Sequence, residues 1–151
     1  MSFLGIDLGT SGLRAMLMDE AGLAIRTVEA AYSTRSPEPG WSEQDPQLWI
    51  DALDTAIEEL RTTEPRFSNL IGIGVAGHMH GATLLDDMGN VLRPCILWND
   101  TRAAIEAASL DQNPVFREVS GNIVFPGFTA PKLAWVAKHE PEIFSQTAKV
   151  L

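Results

Sequence analysis

The first 31 residues alternate between apolar and polar positions in the way that is typical of β-strands. Residues 3–7 and 13–18 each predict a strand. A third strand is predicted for residues 23–31, after a short turn at residues 19–22. Strands joined by such short connections predict an antiparallel meander.

The alternation gives way to helical spacing after residue 45. Asp45 and Pro46 are residue types preferred at the start of a helix. The apolar positions that follow at helical spacing, and that predict one buried helix face, are Trp49, Ala52, Leu53, Ala56, Ile57 and Leu60. Residues 70–76 then predict a strand with branched apolar residues on one side and glycine or alanine on the other.

The second half of the chain has shorter apolar segments. A second hairpin is predicted from residues 82–85 and 91–97, which flank a turn rich in Asp, Gly and Asn. Helices are predicted over residues 101–110, 114–120, 129–139 and 141–147. Together these elements predict an α/β fold with a mixed sheet, and the pattern contains no evident domain boundary.

Composition limits the partners that the protein can have. The 151 residues carry a formal net charge of −9 and the pI is about 4.6, which argues against binding to nucleic acid or an anionic membrane. The single cysteine, Cys95, permits no internal disulfide. No apolar run approaches the ~20 residues of a membrane-spanning helix. We therefore predict a cytoplasmic protein that contacts neither nucleic acid nor membrane.

The connection between the first two strands has the chemistry of an anion-binding loop. It lies within residues 5–16, GIDLGTSGLRAM, and its polar and flexible positions are Asp7, Gly9, Thr10, Ser11, Gly12 and Arg14. The glycines allow backbone N–H groups to turn toward an anion, the hydroxyls add neutral donors, and the arginine adds charge. The aspartate is suited to hold Mg²⁺ or a magnesium-bound water. The glycine spacing matches neither a P-loop nor a dinucleotide-binding loop, and a plain hairpin turn is the alternative.

Several segments resemble a known family. GIDLGTSGLR is similar to the first phosphate motif of the actin, Hsp70 and sugar-kinase ATPase superfamily. WSEQDP, AGHMHGATLLD, ILWNDTR and PGFTAPKLAWVAKHEPEIF resemble the FGGY family of carbohydrate kinases and, within it, the bacterial xylulokinases. The resemblance runs along the entire chain. It implies a ribonuclease H-like fold and the phosphorylation of D-xylulose to D-xylulose 5-phosphate with ATP and Mg²⁺.

The same resemblance implies roles for individual residues. It assigns ATP binding to Asp7, Gly9, Thr10, Ser11 and Arg14, with Asp7 also serving the metal. It assigns the sugar pocket to Met79 and His80 and, on a neighbouring loop, to Trp98, Asn99 and Asp100. Glycerol-kinase relatives carry an Arg-Glu pair where Met79-His80 stands, which favours a larger sugar. His78 departs from the glutamine that is usual in xylulokinases.

The resemblance also implies that residues 1–151 are the first part of the family's N-terminal, sugar-binding domain. The general-base aspartate and most of the adenosine site lie farther along such kinases, so we expect the base downstream of Leu151. We therefore expect no catalytic base within this chain and no turnover by the chain alone. We also expect an uncovered edge and an uncovered apolar face on its sheet. A homodimer of the full-length enzyme is compatible with the sequence.

Three alternatives stay open at this point. The first is another FGGY kinase that acts on gluconate or a different ketose. The second is a non-catalytic sugar-binding module of the same fold. The third is a zinc site, because His78 and His80 are two positions apart and would share a side of a strand end. Zinc sites need three or four protein ligands, and the only further histidine is the distant His139.

Overall fold

The computed structural model describes residues 1–151 and divides into two compact units. Unit 1 comprises residues 1–34 and 47–78, and unit 2 comprises residues 35–46 and 79–151. The expectation of a chain without a domain boundary stays a prediction, because a compact unit is not necessarily a separate domain. The chain leaves unit 1 after residue 34 and returns to it at residue 47, so no single linker marks the boundary in the sequence.

The elements follow in chain order. The strands are β1 (Ser2–Leu8), β2 (Gly12–Asp19), β3 (Ala24–Ala31), β4 (Glu43–Gln44), β5 (Leu70–Gly77), β6 (Leu84–Leu85), β7 (Cys95–Ile96) and β8 (Lys149–Val150). The helices are α1 (Gln47–Thr63), α2 (Ala104–Asp111), α3 (Pro114–Ser120), α4 (Thr129–His139) and α5 (Pro141–Gln146), with a 3-10 helix at Pro65–Asn69. None of the helices combines the length and the apolar character required to span a bilayer.

Unit 1 is a four-stranded mixed sheet with α1 packed on one face. The strand order is β3-β2-β1-β5, in which β1, β2 and β3 form the predicted antiparallel meander and β5 runs parallel to β1. The helix buries the predicted face through Ala52, Ala56 and Leu60. The sheet contributes alternate residues to the same core, namely Leu4, Ile6, Leu13, Ala15, Leu17 and Val28. A fully buried Leu or Val side chain contributes roughly 1.5–3 kcal/mol, so this core stabilises the meander.

The edge strand β5 keeps an exposed apolar face. The register pairs Ile73 with Leu4 and Val75 with Ile6, so the four side chains lie on the same side of the sheet. Leu4 and Ile6 are buried, whereas Ile73 is 61% exposed and Val75 is 74% exposed. The expectation of an open sheet edge with an uncovered apolar face is therefore confirmed.

Unit 2 contains helices α2 to α5 and two sheets of two short strands each. The predicted second hairpin is present in part, because the amide of Asp86 donates to the carbonyl of Asn90 across its turn and the amide of Leu92 donates to the carbonyl of Leu84. Its two short strands also have other partners, since β6 pairs with β8 and β7 pairs with β4. The isolated antiparallel bridges Ala82–Ile96 and Leu85–Val91 also join the two predicted hairpin arms. Strands of two residues are too short for alternation to specify a partner.

The helices of unit 2 agree more closely with the sequence. Helix α4 has the predicted bounds, and α3 begins at Pro114 after Asn113, whose side chain accepts a hydrogen bond from the amide of Val115. Gly121 ends α3 with a left-handed backbone, at φ 66°. The buried core of the unit consists of Ala82, Leu84, Ile96, Ala103, Trp135 and Val136. Cys95 is buried and carries a free thiol.

Candidate functional site

The connection between β1 and β2 borders an open corner of unit 1. A cavity of about 370 Å³ lies there, and its lining includes Asp7, Gly9, Ser11, Gly12, Arg14 and Glu29. The side chains of Asp7 and Ser11 are exposed at this corner. The loop is thus a concave surface with polar groups rather than a turn filled by neighbouring side chains.

Residues just after β3 hold the carbonyl groups of this loop. The hydroxyl of Tyr32 donates to the carbonyl of Gly9 at 2.6 Å, and its backbone amide donates to the carbonyl of Ser11 at 3.2 Å. The hydroxyl of Thr34 donates to the carbonyl of Thr10 at 3.2 Å. Because the C=O and N–H groups of a trans peptide point in opposite directions, the amides of Thr10 and Ser11 are directed away from these donors. Amides on a common side are suited to an anion.

The two glycines of the loop are required by space and not by backbone conformation. Neither Gly9 nor Gly12 has a left-handed φ. A Cβ atom on Gly12 would lie 2.8 Å from the carbonyl oxygen of Ala30, and one on Gly9 would lie 3.1 Å from the carbonyl oxygen of Gly12. A side chain at Gly12 would therefore push β2 away from β3. The predicted conformational role of the glycines is replaced by close packing of the backbone.

Arg14 lies between two carboxylates on one face of the sheet. The strand register places Asp7 opposite it on β1 and Glu29 opposite it on β3. Its guanidinium binds the Glu29 carboxylate, with Nη2–Oε1 2.6 Å and Nε–Oε1 2.8 Å. Both side chains are exposed, and exposed pairs of this kind are worth about 0–1 kcal/mol. Breaking the pair between Arg14 and Glu29 would therefore cost little free energy.

The donors at this corner fit a magnesium-bound phosphate. Mg²⁺ keeps several waters and binds proteins through one or two carboxylates, and Asp7 offers one exposed carboxylate beside the cavity. Ser11, which is exposed and lines the cavity, carries a hydroxyl and an amide that are uncharged donors. Thr10 is not among the lining residues, and its contact with a phosphate stays a prediction. The cavity of about 370 Å³ provides the space for such a group.

The zinc alternative has no ligand set in the structure. No group of three or more His, Cys, Asp or Glu side chains is placed to hold a metal ion. Strand β5 ends at Gly77, before both histidines, and His80 has a left-handed backbone with φ 62°. The ring of His78 packs against Trp49 at 5.2 Å and the ring of His80 packs against Phe128 at 4.6 Å, measured between centroids. The expectation that the two histidines share one side of a strand is wrong.

The predicted sugar-side residues lie on loops of unit 2. Met79, His80, Trp98 and Asn99 are exposed. A third loop, residues 126–128, joins the loops that carry these side chains. Phe128 of this loop packs against His80, and a Cβ atom on its Gly127 would lie 2.2 Å from the carbonyl oxygen of Trp98. The loop at residues 126–128 therefore touches both of the other loops, and only glycine fits at position 127.

Asp100 differs from the other predicted sugar-side residues because it is buried. Its carboxylate accepts hydrogen bonds from the amide of Ser42 at 2.6 Å and from the Arg102 guanidinium at 2.7 Å. The same guanidinium binds Glu43 at 2.7 Å and lies 3.8 Å from the centroid of the Trp41 ring. Asp100 is placed to hold its loop, and direct contact with a sugar stays a prediction.

Leu151 contributes backbone hydrogen bonds to unit 2 and carries no reactive side-chain group. It is the residue after which the catalytic base is expected. Its apolar side chain is exposed. Its backbone amide donates to the carbonyl of Thr83 at 3.0 Å, and the amide of Thr83 donates to the carbonyl of Leu151 at 3.1 Å. These two bonds continue the pairing of β8 with β6. A general-base aspartate downstream of Leu151 stays a prediction.

Sequence reasoning missed Lys132, which the structure places beneath the three loops. The residue is fully buried, and its ammonium donates to the carbonyl of His80 at 2.6 Å and to the carbonyl of Gly127 at 2.8 Å. Burial lowers the pKa of Lys132 to about 8. The available signal was a lysine among the apolar residues of α4, next to the buried positions Trp135 and Val136.

Comparison with known proteins decides the family. Residues 2–151 match the model for the N-terminal domain of the FGGY family of carbohydrate kinases. This chain belongs to that family. The xylulose kinase of Klebsiella pneumoniae is 49% identical to this FGGY domain over 150 residues, which cover 99% of this chain and 31% of that protein. The chain thus spans about 31% of the length of this curated relative.

Solved structures give the same result for the fold of the FGGY domain. The crystal structure of a "xyloylose kinase" from Brucella ovis has a TM-score of 0.97 and 58% identity, covering 100% of this chain and 32% of that one. The xylulose kinase from Rhodospirillum rubrum has a TM-score of 0.92 and 34% identity, covering 99% of this chain and 32% of that one. The predicted α/β class, the ribonuclease H-like fold of the actin, Hsp70 and sugar-kinase superfamily, is confirmed.

Proposed function

We propose that this chain is the first part of the N-terminal domain of an ATP-dependent kinase that phosphorylates D-xylulose to D-xylulose 5-phosphate. The observation that carries the proposal is the open corner beside Asp7, in a chain that is similar to xylulose kinases along its whole length. Phosphoryl transfer depends mainly on positioning and on neutralising the charge of the transferred group. The corner offers groups for both tasks.

On the donor side, Asp7 would hold Mg²⁺, directly or through a bound water. Mg²⁺ at this position would supply positive charge for the transferring phosphoryl group. Thr10 and Ser11 would donate hydrogen bonds to phosphate oxygens, and Gly9 would keep the loop close enough to do so. Arg14 would exchange its exposed pair with Glu29 for a phosphate oxygen, because a charged phosphate is the stronger partner.

On the sugar side, the exposed side chains of the three contacting loops would form the pocket. His80 and Asn99 would hydrogen-bond hydroxyl groups of the ketose, and Met79 would pack beside its carbon chain. Trp98, with 49% of its surface exposed, would pack against the C–H face of the sugar. Asp100 would act on the sugar through its loop, which its bonds to Ser42 and Arg102 hold in place.

The proton of the reacting hydroxyl needs a carboxylate base. In the turn after β6, Asp87 is exposed, and Asp86 bonds to Asn90 within that turn. We propose that the base lies downstream of Leu151. The base and most of the adenosine site would then lie in the part of the protein that corresponds to the remaining length of the relatives, which this chain does not span. The 151-residue chain alone would then bind ligands without turnover.

Steady-state kinetics of the intact protein that contains this chain tests the proposal. ADP release is measured with D-xylulose, other ketoses, gluconate and glycerol as acceptors. The highest kcat/KM with D-xylulose would support the proposal, and a higher value with gluconate or another ketose would replace the substrate. Sugar binding in calorimetry without ADP release from any acceptor would favour the non-catalytic sugar-binding module.

A further inference from the structure

A buried cation joins two of the three loops that carry the proposed sugar site. Lys132 donates one hydrogen bond to the carbonyl of His80 and one to the carbonyl of Gly127, at 2.6 and 2.8 Å. Its side chain has no exposed surface. Burying an ammonium group costs free energy unless its hydrogen bonds are satisfied, so the two carbonyls are the reason that this position tolerates a lysine.

The loop held by Lys132 has a strained backbone at His80. His80 adopts a left-handed conformation with φ 62°, which is costly for a residue with a Cβ atom. Such a conformation persists only where surrounding contacts hold it. The bond from Lys132 to the carbonyl of His80 and the packing of the imidazole against Phe128 are two such contacts.

The second hydrogen bond of Lys132 constrains the backbone of the loop at residues 126–128. It fixes the carbonyl of Gly127, the residue that lies directly against the carbonyl of Trp98. The adjacent Phe128 is the aromatic partner of His80. One ammonium group therefore sets both the backbone beside His80 and the backbone beside Trp98.

We propose that Lys132 is a positioning residue for the sugar site, where it holds the His80 and Gly127 loops at the spacing that lets His80 and Trp98 meet the same sugar. This inference rests on the proposed function. Lys132 itself does not reach the substrate, because its side chain is fully buried beneath the loops. Its role differs from that of a core residue, since a methionine would fill the same space without fixing either carbonyl.

Kinetics of the Lys132→Met variant of the intact protein tests this inference. Loss of two charge-assisted hydrogen bonds is expected to raise the KM for D-xylulose about tenfold or more. The KM for MgATP is expected to change by less than about twofold, because Lys132 contacts no residue of the glycine loop. Lys138→Met is the matched control, since Lys138 is on the same helix, is 60% exposed and bonds only to Glu106.

The outcomes separate this inference from the proposed function. If the unmodified protein does not phosphorylate D-xylulose, the proposed function fails first. If it does, and a folded Lys132→Met protein keeps its KM for D-xylulose, the positioning role is overturned. If Lys132→Met does not fold, Lys132→Gln, which keeps amide donors, is measured instead. Failure of both variants to fold would assign Lys132 to the stability of unit 2 and also overturn the inference.

Discussion

The phenolic hydroxyl of Tyr32 donates a 2.6 Å hydrogen bond to the carbonyl oxygen of Gly9 in the glycine loop. Burial raises the pKa of Tyr32, and the negative charge of Asp7 adds to this effect. The phenol therefore keeps its proton at neutral pH and acts as a donor. A residue that follows β3 thus sets the direction of the peptide group between Gly9 and Thr10.

Replacement of this donor tests whether the orientation of the loop matters for nucleotide binding. A net hydrogen bond is worth about 0.5–1.5 kcal/mol, so Tyr32→Phe is expected to raise the KM for MgATP about three- to tenfold. The KM for D-xylulose is expected to stay unchanged. Thr27→Val removes an exposed hydroxyl from the middle of β3 and serves as the control. Equal MgATP constants in both variants would show that the Tyr32 hydroxyl does not position the loop.

Asp7 provides the most direct test of the metal site. Asp7→Asn keeps the shape of the side chain but removes its charge, and we expect kcat to fall about a hundredfold or more. The Mg²⁺ concentration that gives half of the maximal rate is expected to rise. Asp87→Asn, which makes the same change in an exposed turn, is the control. Unchanged magnesium dependence in Asp7→Asn would remove Asp7 from the metal site.

Trp98 tests the sugar side separately. The apolar area that the Trp98 ring would bury against the sugar is worth about 25 cal/mol per Å². Trp98→Ala is therefore expected to raise the KM for D-xylulose severalfold while the KM for MgATP stays constant. Met88→Ala, at a position that is 81% exposed, controls for the loss of apolar surface. Unchanged sugar kinetics would assign Trp98 to packing alone.

The buried Lys132 makes the stability of the chain depend on pH. Burial lowers its folded pKa from 10.5 to about 8. Between these values the unfolded chain holds the proton and the folded chain has released it, so the free energy of unfolding rises with pH. The advantage of the unmodified protein over Lys132→Met is therefore expected to grow from about pH 7.5 to about pH 9.5. Urea unfolding at both pH values measures it, and a constant or shrinking difference would contradict the expectation.

Long periodic elements were predictable from local pattern. The three strands of the meander and helix α4 were expected within about a residue of their observed bounds, and the start of helix α1 was expected near its observed first residue. The predicted hairpin over residues 82–97 is present in part, but its strands of two residues gave no indication that they also pair with β8 and β4. The apolar side of β5 was recognised as a strand face, but pattern alone does not state whether a neighbour covers Ile73 and Val75.

Some features of the candidate site were also predictable from local sequence pattern, and others were not. The chemistry of the glycine loop was readable, because an aspartate, hydroxyls and glycines occur within a few consecutive positions. The parts played by Tyr32 and Lys132 were not readable, since their hydrogen bonds join residues 23 and 52 positions apart. Burial of Asp100 was missed for a similar reason, because its partner Ser42 is 58 positions away.

The local sequence pattern was therefore sufficient to predict the meander, the long helices and the chemistry of the first loop. These features depend on side-chain periods of two and 3.6 residues and on neighbouring residue types. Folding of distant segments onto one another decided how β4, β6, β7 and β8 pair, which polar groups are buried, and which cation holds the sugar-side loops. Such contacts satisfy buried polar groups across long separations, and no local pattern in the chain specifies them.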